Sequence, residues 1–254
     1  MRFAKMHGLG NDFLLIDLRG GGEPLPAARA VELCDRHRGV GGDGALTLLP
    51  GGRMLVQNAD GSVPEMCGNG ARCAALWIAT ERCTRPATAQ VELLTDAGLR
   101  PCSVEAKEAR RGLVEIEMGQ AAVERPRPLS RWEAVPVSVG NPHRVIFVEG
   151  GASGLAKEAG PDLCRAESAN IEFVQRSGPG RYAAFVFERG AGLTQACGTG
   201  ACAVAAAAIA RGEARCDQDI AVDLPGGTLT IRVDVRDRVR MRGPAELVFV
   251  GELP

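Results

Sequence analysis

Two cysteines sit in near-identical settings 130 residues apart in a chain of 254. Cys67 lies in Met66-Cys67-Gly68-Asn69-Gly70-Ala71-Arg72-Cys73, and Cys197 in Ala196-Cys197-Gly198-Thr199-Gly200-Ala201-Cys202. The same offset carries Gly10-Asn11 onto Gly140-Asn141 and Asn58 onto Glu188. In Cys-Gly-x-Gly the glycines allow a tight turn and a close approach of backbone to ligand. A helix that starts there presents unsatisfied N–H groups and a partial positive charge, which suits a carboxylate. The same end lowers the pKa of a cysteine placed on it and favours the thiolate. One short motif thus supplies an acid–base thiol and a carboxylate clamp together. A chain folded as two copies of one unit would bring its two thiols to the middle, one from each side. That arrangement suits a reaction that takes a proton from one face of a carbon and returns one to the other.

Proton partners for the thiols are present at matching landmarks. His143 follows the repeated Gly140-Asn141, and Glu188 stands nine residues before Cys197, as Asn58 stands nine before Cys67. A histidine and a glutamate near two thiols can exchange protons with them. The halves are then alike but unequal, as a substrate with two different ends requires. Asn11, Asn58, Asn69, Asn141 and Asn170 fall at turns or strand ends. With Arg189, which can clamp a carboxylate through two parallel hydrogen bonds, they make a set for holding a zwitterion. Cys34, Cys73, Cys83, Cys102, Cys164, Cys202 and Cys216 lack the motif and read as small buried hydrophobes.

What is missing narrows the chemistry. The only lysines are Lys5, Lys107 and Lys157, none in a repeated or glycine-rich landmark. A pyridoxal enzyme needs a Schiff-base lysine, so proton chemistry at an α-carbon is expected to run without a cofactor. No phosphate-binding loop, His-Glu-x-x-His or Cys-x-x-Cys spacing occurs, so no metal is expected either. A formal net charge of −1 and scattered arginines argue against a nucleic-acid partner. The longest apolar run, 201–210, is half the ~20 residues that cross a bilayer, so no membrane partner is expected. The absence of a charged-then-apolar leader points to a reducing cytoplasm and free thiols.

The elements that must position these residues read as mostly strands. Short runs rich in Val, Ile, Leu and Phe predict strands at 13–17, 45–49, 54–57, 91–95 and 113–118 in the first half. In the second they predict strands at 135–139, 145–148, 171–175, 183–187, 220–224, 228–233 and 247–250. Helices are expected at 27–37, 71–80 and 201–211, the last two directly after the cysteines. The polar, proline-bearing segment 120–130 reads as the linker. The halves are therefore 1–119 and 120–242, each with many strands and one buried, alanine-rich helix.

At these residues the chain resembles diaminopimelate epimerase. The shared strings are 3–13, 58–62, 66–73, 140–143, 188–192 and 197–201, in the family's order and over almost the whole length. The resemblance implies a cofactor-free isomerase that interconverts LL- and meso-diaminopimelate. It implies an α+β fold of two pseudo-symmetric halves, each a curved, mostly antiparallel sheet around a central helix, with the strand of 243–254 returning to the first half. By resemblance Cys67 and Cys197 are the two acid–base thiols, with His143 the partner of Cys67 and Glu188 that of Cys197. Asn11, Asn58, Asn141, Asn170, Glu188 and Arg189 are implied as substrate ligands. Gly68-Asn69 and Gly198-Thr199 are implied as backbone clamps on the reacting carboxylate. Family members commonly form homodimers.

Three positions depart from the family pattern. Gly44 stands where many relatives carry a Gln that touches substrate, Leu193 where Glu is usual, and Arg144 where a small or neutral residue is commoner. Gly44 leaves open a cofactor-independent racemase of another polar amino acid on the same fold. Proline-type racemases differ by a His after the first Cys-Gly, where this chain has Asn69. A thiol redox protein and a non-catalytic binding module are the readings outside the class.

Overall fold

The computed structural model describes residues 1–64 and 66–253. The chain divides into two compact units. One is Met1–Ile116 with the C-terminal stretch from Gly243, and the other is Glu117–Arg242.

The first unit opens with strands β1 (Arg2–Gly8) and β2 (Asn11–Asp17), helix α1 (Ala27–Cys34), and strands β3 (Gly44–Leu49) and β4 (Arg53–Asn58). Helix α2 (Gly68–Ala79) follows, then β5 (Ala87–Thr95), β6 (Gly98–Glu108) and β7 (Arg111–Gln120), in which the unit ends. The second unit runs through β8 (Ala122–Val123), β9 (Arg127–Leu129), β10 (Trp132–Ser138) and β11 (Pro142–Phe147) to helices α3 (Ala152–Glu158) and α4 (Gly160–Glu167). It continues with β12 (Asn170–Gly178), β13 (Arg181–Glu188), β14 (Gly192–Leu193), α5 (Gly198–Ala210), β15 (Ile220–Leu224) and β16 (Gly227–Val233). The last strand, β17 (Arg238–Glu252), leaves the second unit and pairs with β1 of the first, Arg2 opposite Glu252.

Each unit uses the same internal connectivity. β1–β2, β3–β4 and β5–β6 are antiparallel pairs, while β2–β3 and β4–β5 are parallel. β10–β11, β12–β13 and β15–β16 repeat the antiparallel pairs, and β11–β12 and β13–β15 the parallel ones. The repeated Gly-Asn has a geometric cause. Gly10 has φ 83° and Gly140 φ 91°, a left-handed backbone that glycine adopts without strain. Each glycine closes a hairpin and delivers the following asparagine to the start of the next strand.

The helix after each cysteine is the centre of its unit. All of α5 from Gly198 to Ala208 is buried, and α2 is buried from Gly68 to Trp77. In α5 mostly small side chains let a sheet curve closely around the helix, whereas α2 also buries Arg72, Leu76 and Trp77. The far end of α2 is tied to β2, where Trp77 Nε1 donates to Asp17 Oδ2 at 3.0 Å.

Several elements escape the sequence reading. β1 was not expected as a strand, because its buried Lys5 interrupts the apolar pattern. β6 buries only the small Cys102, Val104 and Ala106, with polar residues between them, so its apolar signal is weak. α3 and α4 pack Ala152, Ala156, Leu163 and Cys164 against Ile171 and Phe173. Each carries too few large apolar residues to show a helical stripe. The expected linker contains β8 and β9. The first helix stops at Cys34 rather than 37, because the Asp35 carboxylate accepts from the N–H groups of His37 and Arg38 and turns the chain.

Candidate active site

Cys67 is the residue on which α2 begins. Its backbone is extended, φ −133° and ψ 94°, and its sulfur accepts from the Gly70 N–H at 3.3 Å. A Cβ on Gly70 would sit 3.2 Å from that sulfur and 2.8 Å from the end of the Leu46 side chain, so glycine gives the sulfur its room. Asn69 is buried and donates to Asn11 Oδ1 at 2.9 Å, while Asn11 Nδ2 donates to Asp43 Oδ2 at 2.7 Å. Two expected ligands are thus joined at the mouth of the helix. Asn58 ends β4 directly opposite Gly44 and donates to Ser62 Oγ at 2.9 Å.

An ion-pair network backs this group. Arg36 bridges Asp43 and Asp12 at 2.8 and 2.7 Å, and Asp12 also meets Lys5 at 2.5 Å. Lys5 donates in addition to the Gly41 carbonyl, which makes it a structural post. Burial pushes the Asp12 carboxyl up, but hydrogen bonds from Arg36 and Lys5 outweigh it and hold the group at about 2. A carboxyl lowered on folding stabilises the native state above its unfolded pKa. Asp12→Asn is therefore expected to destabilise the protein at neutral pH. In denaturant melts the gap to wild type should close as pH falls from about 4 towards 2. A gap that stays constant across that range would remove the network from the account.

Cys197 starts α5 with the same geometry. Its backbone is extended, φ −115° and ψ 109°, and its sulfur accepts from the Gly200 N–H at 3.4 Å. A Cβ on Gly200 would again lie 3.2 Å from the sulfur. Thr199 Oγ1 is 3.6 Å from the thiol, and Gly198 and Thr199 are both buried. Glu188, at the end of β13, is in hydrogen-bond contact with Cys197 and accepts from Thr194 Oγ1. His143 is fully buried on β11, with Nδ1 2.7 Å from Glu172 Oε1 and Nε2 2.9 Å from Asn141 Oδ1. Asn170 Oδ1 accepts from the Arg189 backbone N–H at 2.8 Å. The Arg189 side chain is exposed, and its guanidinium donates to the Ser168 carbonyl at 3.4 Å.

The two thiols share a fold position but not a set of neighbours. Burial pushes the Cys197 thiol well above its ordinary value, and the carboxyls of Glu188 and Glu172 push it further, against the Thr199 contact. The expectation of a lowered pKa at this helix start is therefore reversed at Cys197. A helix N-terminus contributes at most ~2 kcal/mol, roughly 1.5 pKa units, whereas full burial alone moves a group by up to about 3–5 units. Glu188 is raised too, first by burial and also by Glu172, against hydrogen bonds from Thr194 and Cys197 and the nearby His143. Burial and the two carboxyls thus favour the thiol form of Cys197 beside Glu188. The cysteines without the motif differ in kind. Burial holds Cys73 and Cys102 at about 12, and both are inert. Cys216 is partly exposed, contrary to its expected burial.

A family model for diaminopimelate epimerase matches residues 3–124 and 135–248. A diaminopimelate epimerase of Synechococcus elongatus is 40% identical over 282 aligned positions, covering 100% of this chain and 98% of the relative. The chain belongs to the diaminopimelate epimerase family. A second member, from Desulforudis audaxviator, is 42% identical and covers 99% of each chain. Among solved structures, a predicted epimerase from Pseudomonas aeruginosa superposes with TM-score 0.78 at 17% identity, covering 99% of this chain and 98% of that one. A hydroxyproline epimerase from Agrobacterium vitis gives 0.76 at 16%, covering 99% and 91%. These distant structures share the mixed α+β fold.

The three departures from the diaminopimelate epimerase pattern have local causes or none. A Cβ on Gly44 would lie 2.5 Å from the Gln57 carbonyl, so β3 and β4 leave no room for a side chain there. Arg144 donates to Glu167 at 2.6 Å and to the His143 carbonyl at 3.0 Å, which braces the strand that carries His143. Leu193 is exposed, and nothing in the structure explains it. Sequence reasoning missed Asp43, Thr194 and Glu172. Glu172 had a signal, a lone acid inside the apolar strand Ile171-Glu172-Phe173-Val174. Asp43 and Thr194 had none.

Proposed function

We propose that this chain interconverts LL- and meso-2,6-diaminopimelate by cofactor-independent, two-cysteine proton transfer at the α-carbon. The observation that carries the reading is the paired helix start: two thiols, each accepting the N–H of the second glycine, at 3.3 and 3.4 Å. Cys197 enters as the acid and hands its proton to one face of the α-carbon, while Cys67 enters as the base and takes the proton from the other. Glu188 exchanges protons with Cys197, and His143 with Cys67. The first N–H groups of α2 and α5 stabilise charge that develops on the substrate carboxylate, which is electrostatic preorganisation. Asn11, Asn58, Asn141, Asn170 and Arg189 hold the amino-acid ends of the substrate. No helix among the described residues is long and apolar enough to cross a membrane. A reducing cytoplasm and a homodimer complete the proposal. An exposed apolar run on β17, Val248, Phe249 and Val250, supports the dimer.

Deuterium uptake tests the reaction. In heavy water LL-diaminopimelate should gain one solvent deuteron at the α-carbon as the meso isomer forms. Gly44 favours a second reading, another polar amino acid as substrate. A panel of amino acids in the same assay decides between them. Uptake into a different amino acid, with none into diaminopimelate, would replace the substrate and keep the chemistry. Uptake into none would end the epimerase reading.

A further inference from the structure

Glu172 is an acid buried in the middle of a sheet. Its exposure is 0%, and it lies two residues after Asn170 on β12, on the same face of the strand. β11 runs parallel beside it with His143 opposite Asn170. The Glu172 carboxylate thereby reaches the imidazole, Oε1 to Nδ1 at 2.7 Å. The same Oε1 would stand 3.0 Å from a Cβ on Gly200, so the carboxylate also presses on the start of α5. Its other oxygen, Oε2, has no hydrogen-bond partner among the described residues. The charged or titratable groups around it are His143 from β11, Glu188 from β13, Cys197 at the start of α5 and Cys164 from α4. Arg189, which follows β13, is exposed and bonds Ser168.

A half-satisfied buried carboxylate is costly, several kcal/mol even after relaxation. Packing alone therefore does not account for an acid here. The imidazole does. It faces an acceptor on each side, Glu172 Oε1 at Nδ1 and Asn141 Oδ1 at Nε2. Two protons satisfy that arrangement. Either an imidazolium sits on a carboxylate, or an Nε2–H imidazole accepts from a protonated Glu172. In both states the pair is neutral overall, and the nitrogen that carries its proton towards Asn141 is Nε2. The partner of one ring nitrogen fixes the role of the other.

We propose that Glu172 is the positioning residue of His143: it holds the ring by Nδ1 and selects Nε2 as the nitrogen that exchanges protons. This rests on the assignment of His143 to the epimerase reaction. The same carboxylate stands close to Glu188 and Cys197, so one buried charge bears on both proton partners. It adds to the burial that keeps Cys197 in the thiol form.

The chain has three histidines, which makes imidazole nitrogen spectra tractable. ¹⁵N shifts assigned with His143→Gln should show Nδ1 of His143 protonated or strongly hydrogen-bonded near neutral pH in the wild type. In Glu172→Gln that signature should be lost, leaving a neutral Nε2–H ring. Turnover should fall roughly 10- to 100-fold, the usual cost of losing an orienting partner, with KM little changed. Glu172→Met serves as the second variant and should fold with the same loss of turnover. Unchanged His143 shifts in a folded variant, or turnover within about twofold of wild type, would overturn the proposal. So would failure of both variants to fold, since Glu172 would then be structural. Absence of epimerisation by the wild type would instead refute the reaction, and the nitrogen spectra would still decide the His143–Glu172 coupling.

Discussion

Alanine at Cys67, and separately at Cys197, should lower turnover with diaminopimelate by about 100- to 10,000-fold in each single variant, the usual worth of an acid–base group. The reasoning is geometric. Each sulfur accepts from a backbone N–H of its own helix, and a Cβ on the glycine behind it would lie 3.2 Å from the sulfur. Neither thiol has a substitute in its own unit, because the nearby Cys73 and Cys202 lie fully buried inside the helices. Removing one thiol leaves one face of the α-carbon without its proton carrier. Near-wild-type turnover in either variant would reduce the mechanism to one base. Serine at both positions separates the remaining readings. A binding module keeps its function with two hydroxyls, whereas the epimerase does not. A redox protein would cycle its thiols, while the proposed epimerase should work only with both reduced.

Glutamine at Glu188 has the next largest effect, a fall in turnover of about 100-fold. It also carries a sign that a structural role would not produce. Burial, then Glu188, then Glu172 raise the Cys197 thiol. Removing the Glu188 charge takes away one of these, so the thiolate of Cys197 forms at lower pH in the variant. Alkylation of the Cys197 peptide by iodoacetamide, followed by mass spectrometry across a pH series, should show its midpoint moved towards acid. Turnover should fall all the same, because the thiol has lost the group with which it exchanges protons. A midpoint moved towards alkali, or one that does not move while turnover is kept, would show that Glu188 is not the partner of Cys197. Because the carboxyl also accepts from Thr194, glutamine can keep that bond and the local fold.

The sequence carried the site's skeleton because local chemistry writes it directly. Cys-Gly-x-Gly twice, with Gly-Asn at the same offset, needs no tertiary knowledge to be seen. The structure explains each part of it through a positive φ at Gly10 and Gly140 and a sulfur pressed against Gly70 and Gly200. What stayed hidden depends on contacts between residues far apart in the chain. Asp43 matters because β2 and β3 run side by side and bring it to Asn11, 32 positions away. Glu172 matters because β11 and β12 pair in parallel. The pKa of Cys197 was misjudged for the same reason. The helix start is visible in sequence, but the burial and the two carboxyls that outweigh it are not. Lys5 hid β1 in a similar way, since a charge that is matched by Asp12 in three dimensions looks in one dimension like a break in a strand.

The alanine-rich helix behind Cys197 has a further meaning. Having no wettable side, it cannot persist in water once its surrounding strands depart, and those strands lose their filling if it melts. The lower half of the free-energy landscape therefore offers no stable waypoint in which the Cys197 sulfur is held but its sheet is loose. Amide protons along that rod should be released only in the rarest, unit-wide openings, so Cys197 inherits the rigidity of everything wrapped around it.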